Sequence, residues 1–314
     1  MVSGEAVAEA TESEVAPSAV KRTPVSIARG LVRTARPKQW AKNVLVFAAP
    51  FAAGRITHLP VLGAAAVAFV AFCLAASAIY LVNDAKDVEA DRAHPTKRNR
   101  PIAAGIVPVP AAMALSVVLM LAAIGLSFID NWQLALVIGV YEAVQLGYCF
   151  GLKHERVIDL CIVASGFLLR AIAGGVAANT PPSQWFLLVA AFGSLFMVAG
   201  KRYAEIRLFE KTGAEIRASL RKYSASYLRF VWATSVAIVI TTYSLWAFDD
   251  LRVASHHSVW STISIVPFVI ALLRYAGDVD SGDGGAPDEI VLRDRILQLL
   301  GLCWALTVAF AFYL

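Results

Sequence analysis

The chain of 314 residues is 58% hydrophobic and 16% charged, with a formal net charge of +5 and a mean hydropathy of +0.64. That composition excludes a soluble globular domain and indicates a polytopic membrane protein. Its apolar segments are continuous rather than alternating, which excludes a β-barrel.

Residues 1–35 are Ala/Glu-rich and then basic, without a long apolar core, and read as a disordered cytoplasmic tail rather than a signal peptide. Lys21, Arg22, Arg29 and Arg33 suit contact with anionic lipid. Residues 36–314 are expected to form one all-α membrane domain. Windows of about 20 apolar residues place nine helices near 40–57, 60–82, 108–129, 132–150, 157–178, 183–200, 227–248, 258–276 and 296–314. Pro50 and Gly54 interrupt the first, which begins beside Lys42. Of the 28 Lys and Arg residues, 25 fall on the side carrying the N-terminus; Arg55 and Arg252 lie opposite, and Arg170 lies inside a helix. The bias makes the first side cytoplasmic, with the N-terminus inside and the C-terminus outside. Cys73, Cys149, Cys161 and Cys303 stand singly, without CxxC spacing, which gives no support to disulfide, zinc or thiol-redox chemistry. No internal repeat is evident, and no nucleic-acid partner is expected; homo-oligomerisation stays open.

Polar chemistry collects on the cytoplasmic side. The stretch LVNDAKDVEADRAHPTKRNRPIAAG, from Leu81 to Gly105, follows the second helix. If that helix continues at about 100° per residue, Asp84, Asp87 and Asp91 fall within about 60° of one another, Asn83 borders them and Glu89 points away. Three carboxylates on one face repel unless a cation neutralises them. Hard oxygen ligands suit Mg²⁺, which completes its shell with water and substrate phosphates. A solvated loop with random pairing is the plainer reading. His94, Lys97, Arg98 and Arg100 then offer donors to phosphate, or simply mark the cytoplasmic side.

A second cluster, GKRYAE, closes the sixth helix. Lys201 and Glu205 share a face, flanked by Arg202 and Tyr203 and followed by Arg207, and the sequence to about Tyr223 reads as a basic surface helix. RPKQWAKN contributes Arg36, Lys38, Lys42 and Asn43, and YCFGLKHERVID contributes Tyr148, Lys153, His154, Arg156 and Asp159. Glu142 and Arg170 lie within the bilayer, where a direct pair or a functional pathway are both open. The loop GDVDSGDGGAPDEI fails the EF-hand order, since Gly282 and Asp283 reverse the required ligand and glycine, and a flexible loop is expected.

NDAKDVEAD resembles the NDxxDxxxD motif of the UbiA-like intramembrane prenyltransferase superfamily. The resemblance covers roughly residues 33–314 and implies nine helices with acidic motifs after helices two and six. Where typical members carry a second DxxxD, this chain reads GKRYAE, with Lys201 near the first acid's place and Glu205 near the second's. With RPKQWAKNVLVFAAP and KRNRPIAAG, that departure is similar to the decaprenyl-phosphate phosphoribosyltransferase branch. The branch implies phosphoribosyl pyrophosphate (PRPP) as donor, a polyprenyl (decaprenyl) phosphate as acceptor, and supply of arabinose donors to the actinobacterial cell wall from the plasma membrane. Exchanging an acid for Lys201 and Arg202 suits a donor and acceptor that together carry more phosphate.

These readings combine into an expected site. Asp84, Asp87 and Asp91 hold Mg²⁺ against the donor diphosphate, and Lys201, Arg202 and Glu205 place the ribose and its 5-phosphate. Asn83, Lys42, Asn43, Lys97, Arg98, Arg100, Tyr148, Lys153, Arg156, Asp159, Arg170 and Tyr203 are further substrate-binding candidates. The rival readings are a prenyltransferase making a quinone or haem precursor, a transporter using Glu142 and Arg170, and a non-catalytic scaffold.

Overall fold

The computed structural model describes residues 23–212, 220–248, 259–281, 290 and 293–313. The long apolar windows become α3 (Leu59–Lys86), α5 (Val109–Asp130), α6 (Trp132–Phe150), α7 (Ile158–Ala177), α8 (Gln184–Thr212), α9 (Ala225–Phe248), α10 (Val259–Ser281) and α11 (Arg295–Tyr313). These eight are long and apolar enough to span a bilayer. Side-chain oxygens close several of their ends. Asn131 accepts from the Leu134 amide at 2.7 Å, Ser183 from Phe186 at 2.9 Å and Ser224 from Tyr227 at 3.2 Å. Outward faces carry exposed Leu121, Phe128 and Phe230, as lipid contact requires.

The segment expected as a first α-helix over residues 40–57 is built differently. Pro37–Phe47 winds as a 3₁₀-helix and continues into the short α2 (Ala48–Ala52). Eleven residues at about 2.0 Å and five at about 1.5 Å cover roughly 30 Å, the thickness of the hydrocarbon core. Both ends are anchored. Arg36 Nη2 donates to Asp84 Oδ1 at 2.7 Å at the charged end, and Arg55 Nη1 donates to Thr180 Oγ1 at 3.0 Å beyond the far end of α7. Among the described residues this segment is thus long enough to reach across a bilayer beside the eight apolar helices.

Close backbone approach seats this tight helix. A Cβ built on Gly174 of α7 would lie 1.6 Å from the Val46 carbonyl oxygen, so only glycine admits the contact. Asn43 is buried beside it, accepting from Arg170 Nε at 2.7 Å and donating to Cys73 Sγ at 3.2 Å. Trp40 Nε1 donates to Ser77 Oγ at 3.1 Å.

The tail expected to be disordered through residue 35 is instead helical from Pro24: α1 spans Pro24–Ala35. Thr23 and Ser26 form a reciprocal capping box, and Pro24 occupies the first helical position. Docking supplies what the local signal lacks, because Gly30 presses on Val107 and Leu31 packs with Leu81, Ile102 and Val107.

Packing divides the molecule into two groups of helices. Phe72, Leu134, Ile138, Tyr141 and Val46 fill the group made by α3, α5, α6, α7 and the first crossing. Phe196, Leu228, Trp232 and Tyr275 fill the group made by α8, α9, α10 and α11. The α7–α8 contact joins them, and the main cavity opens between.

Candidate active site

Asp84 is the single acid of α3 and is buried, Asp87 caps that helix, and Asp91 lies in the short α4 (Val88–Ala93) that nearly continues it. Asp84 and Asp91 are 2% and 3% exposed, whereas Glu89 points outward and pairs with Arg92. The near-helical continuation thus separates the three aspartates from Glu89, as the spacing predicted. Their neutralisation comes from the protein's own bases. Arg100 Nη1 donates to Asp84 at 3.2 Å and to Asp91 at 2.7 Å, Arg36 donates to Asp84 at 2.7 Å, and Lys153 Nζ bonds Asp87. Among the described residues no three carboxylates, imidazoles or thiols are grouped as a ready metal cage.

A cavity of about 1430 Å³ begins at this charged end and runs between the two helix groups. At its mouth stand Asn83, Asp87, Asp91, Lys153, Lys201 and Glu205, with Lys42, Lys97, Arg100, Tyr148 and Arg202 also in the wall. Deeper, the lining changes to Phe167, Phe186, Tyr243, Trp246, Phe268 and Trp304. Trp304 Nε1 donates to the Tyr243 hydroxyl at 2.7 Å, so the polar atoms of these two aromatics are satisfied within an apolar chamber.

The 3₁₀ crossing supplies one wall through its threefold period. Gln39, Lys42, Leu45 and Ala48 form a row that follows Arg36 and leads to Phe51, all facing the cavity. The adjacent row of Trp40, Asn43, Val46 and Ala49 is spent on the protein: Trp40 bonds Ser77 and the other three are buried. Polarity falls along the cavity row from guanidinium and amine to alkyl and phenyl.

Several predicted site residues stand behind the wall. Arg170 donates to Asn43, to the Gly166 carbonyl and to Tyr141 Oη, and its guanidinium lies 5.1 and 5.0 Å from the Phe72 and Tyr141 ring centroids. It therefore fastens the first crossing to α7 and makes no pair with Glu142, whose Oε1 has no hydrogen-bond partner. Asp159 is 1% exposed and accepts from Arg202 and from the Tyr223 hydroxyl. Burial, with that bond to Asp159, pushes the Tyr223 phenol up to about 12, and its oxygen also accepts the Val157 amide at 2.9 Å. Val157 holds φ +66° and ψ −49°, with the Ile158 amide donating to the Arg156 carbonyl at 2.7 Å; this is a strained γ-turn that Tyr223 clamps at the entry to α7. Tyr203 Oη donates to Asp280 at 2.7 Å, and neither Arg98 nor Arg156 lines a described cavity.

Around GKRYAE, α8 runs without interruption through Lys201 and Glu205 to Thr212. Residues 213–219 of the expected surface helix lie outside the described residues. So do residues 282–289 of the acidic loop, whose first part, through Ser281, is helical. Two cavity residues, Gln39 and Gln145, escaped the sequence reading, because a neutral amide gives no charge signal and Gln39 is visible only through a period of three.

An all-helical bundle with acids at one end and an apolar chamber within is the architecture of an intramembrane transferase. The model of the UbiA prenyltransferase family matches residues 44–313, and the chain belongs to that family. Among solved structures, a UbiA homolog from Archaeoglobus fulgidus bound to DMAPP and Mg²⁺ shares the fold with a TM-score of 0.69 at 17% identity, covering 90% of this chain and 98% of its own. The chain is 58% identical over 298 residues to the decaprenyl-phosphate phosphoribosyltransferase of Corynebacterium glutamicum, spanning 94% of this chain and 90% of the relative. It is 55% identical over 300 residues to the enzyme of that name from Mycolicibacterium smegmatis, spanning 92% and 94%.

Proposed function

We propose that this integral membrane protein transfers the 5-phosphoribosyl group of PRPP to decaprenyl phosphate. The products are pyrophosphate and decaprenylphosphoryl-5-phosphoribose, a precursor for cell-wall arabinan. One observation carries the reading: a single cavity joins a mouth of acids and bases to an aromatic, lipid-compatible chamber. A soluble polyphosphate donor and a lipid-linked acceptor need both environments within reach of one another. The high identity to enzymes named for this reaction supports the same assignment.

The residues divide the work. Lys42, Lys97, Arg100 and Lys153 hold phosphate oxygens at the mouth, with Arg100 offering a fork. Lys201 and Glu205 stand across the cavity to orient the ribose. The acceptor tail lies along Leu45, Ala48 and Phe51 toward the aromatic chamber. An acceptor phosphate oxygen, already ionised, attacks C1 from the face opposite the diphosphate. Its new C1–O bond forms as the bond to pyrophosphate breaks, giving inversion to a β-linked product. Bases already placed around the departing group favour its growing charge.

Magnesium fits the donor chemistry here in its substrate-dependent mode: hard oxygens of Asp87, Asp91 and Asn83 line the mouth, and one or two carboxylates with substrate phosphates suffice. Asp84, buried beside them, would complete the set or keep Arg36 and Arg100 in place. When bound, the ion would neutralise the diphosphate and improve it as a leaving group. The arginine and lysine contacts to these aspartates would then pass to phosphate oxygens.

The charged end is assigned to the cytoplasm, the N-terminus inside and the C-terminus outside a plasma membrane, on the strength of the Lys/Arg bias. To test the reaction, purified protein with Mg²⁺ is given radiolabelled PRPP and decaprenyl phosphate, or an aromatic acid and a prenyl diphosphate. Label entering lipid only in the first mixture is expected. Prenylated aromatic product would overturn the proposal.

A further inference from the structure

We propose that a smaller compartment beside the main cavity binds a phosphate monoester, and that it receives the donor's 5-phosphate. The site stands on geometry; only the identity of its ligand rests on the reaction proposed above. The compartment has a volume of about 340 Å³ and is lined by Arg33, Arg36, Thr96, Lys97, Asn99 and Arg100. That size lies at the lower end for small-molecule sites. Four cationic side chains face it. The one carboxylate in the lining, Asp84, already accepts from Arg36 at 2.7 Å and Arg100 at 3.2 Å. Arg100 also donates to Asp91 at 2.7 Å behind the lining, so four cations stand against two carboxylates; a dianionic phosphate complements the charge left over, and arginine forks match its oxygens.

The walls are set in advance. On one side, α1 is held by the contact of Gly30 with Val107, where a Cβ would lie 2.5 Å from Cγ2. Thr34 Oγ1 donates to the Gly30 carbonyl at 2.9 Å. Arg36 adopts the left-handed conformation, φ 53° and ψ 59°, which glycine would occupy at less cost. An arginine kept in that conformation serves the reach of its side chain to Asp84.

Two observations select the ligand. Pro101 is the one apolar residue in the lining, so the compartment gives no path to a lipid tail and suits a soluble molecule. Arg36, Lys97 and Arg100 line both compartments, with the Arg36–Asp84–Arg100 contacts as the partition. A donor with phosphate at both ends can address the two sides of that partition. The 5-phosphate therefore moves from the expected Lys201 and Arg202 to Arg33, Arg36 and their neighbours, since Arg202 is engaged by Asp159.

The test compares kcat/KM for PRPP with that for ribose 1-diphosphate, which lacks the 5-phosphate, using full-length protein, Mg²⁺ and decaprenyl phosphate. Arg33→Gln is expected to lower the preference for PRPP at least tenfold, Thr96→Val severalfold, and Arg33→Lys much less. Arg29→Gln, which removes the same charge one turn earlier on α1 at a residue outside the lining, is expected to change it less than twofold. An unchanged preference in both Arg33→Gln and Thr96→Val refutes the site. Relief of inhibition by inorganic phosphate in Arg33→Gln, with donor preference intact, would assign the compartment to free phosphate and overturn the donor assignment. Calorimetric binding of ribose 5-phosphate, without metal or acceptor, needs no turnover. Tenfold weaker binding in Arg33→Gln, in a protein that never turns over PRPP, would uphold the phosphate site while the reaction fails.

Discussion

Gly174→Ala should be far more damaging than its size suggests. Elsewhere on a helix the change is favourable, because alanine exceeds glycine in helix propensity by about 1 kcal/mol. At Gly174 the new methyl carbon would lie 1.6 Å from the Val46 carbonyl oxygen, against the roughly 3.4 Å at which ordinary contact begins. The obstacle is backbone, so no rotamer change relieves it; the first crossing must move by well over an ångström. A backbone clash this close belongs at the upper end of overpacking costs, about 3 kcal/mol, so a net loss of about 2 kcal/mol is expected after the propensity gain. Shifting Val46 also moves Lys42 and Leu45 in the cavity wall and strains the Asn43–Arg170 bond. Thermal unfolding of the detergent-solubilised protein should show a drop of several degrees, with reduced turnover. Gly139→Ala, which meets nothing within 4 Å, is the matched control and should be neutral or slightly stabilising. Equal melting of the two variants would refute the tight seating of the first crossing.

Asp84→Asn and Asp87→Asn should lower transfer by a hundredfold or more, whereas Glu89→Gln on the outer face stays within about threefold of wild type; equal losses at all three in the PRPP assay would refute the division of faces. Chelation of divalent ions should abolish turnover and Mg²⁺ should restore it, while helical content by circular dichroism stays constant, because the aspartates are already partnered by protein bases. The Tyr223 phenol lies above its ordinary value of 10.0, so its contribution to stability is complete below that pH and is lost as pH rises toward about 12. Tyr223→Phe should remove that alkaline loss from a melting-versus-pH series. It should also destabilise at neutral pH by about 1–3 kcal/mol, since Asp159 and the Val157 amide lose a partner. Arg170→Met should cost about 2–4 kcal/mol by leaving the buried Asn43 carbonyl without its donor, with a larger effect on melting temperature than on the KM for either substrate.

The long crossings were legible because a bilayer imposes a length and a composition, and α3 or α5 satisfies both with little ambiguity. The separation of Asp84, Asp87 and Asp91 from Glu89 followed from helical geometry carried past the end of α3. What stayed hidden depended on tertiary contacts. A window over 40–57 marks the segment but not its 3₁₀ winding, whose seat, the bare backbone of Gly174, lies over 120 residues away in sequence. Helix α1 carries a capping box, yet its polar composition resembled a tail until Gly30 and Leu31 were seen docked. Charge drew Asp159 and Arg170, and neighbouring bases drew Asn43, together with true cavity residues, because sequence cannot say whether a polar group faces a substrate or another side chain. The bases were read as partners for phosphate, but in the folded chain several of them first neutralise the aspartates.

The threefold winding of the first crossing makes it a ruler. Successive members of the row Gln39, Lys42, Leu45 and Ala48 stand about 6 Å apart in depth and at nearly one azimuth. Each position can therefore be revised alone: Gln39 and Lys42 tune the reception of a headgroup, and Leu45 and Ala48 the thickness of a lipid chain. Deleting a single residue would rotate everything after it by about 120° and bring the buried Asn43–Val46 row toward the substrate. Evolution of new acceptors within this architecture is thus free in the letters of the segment and bound in their number.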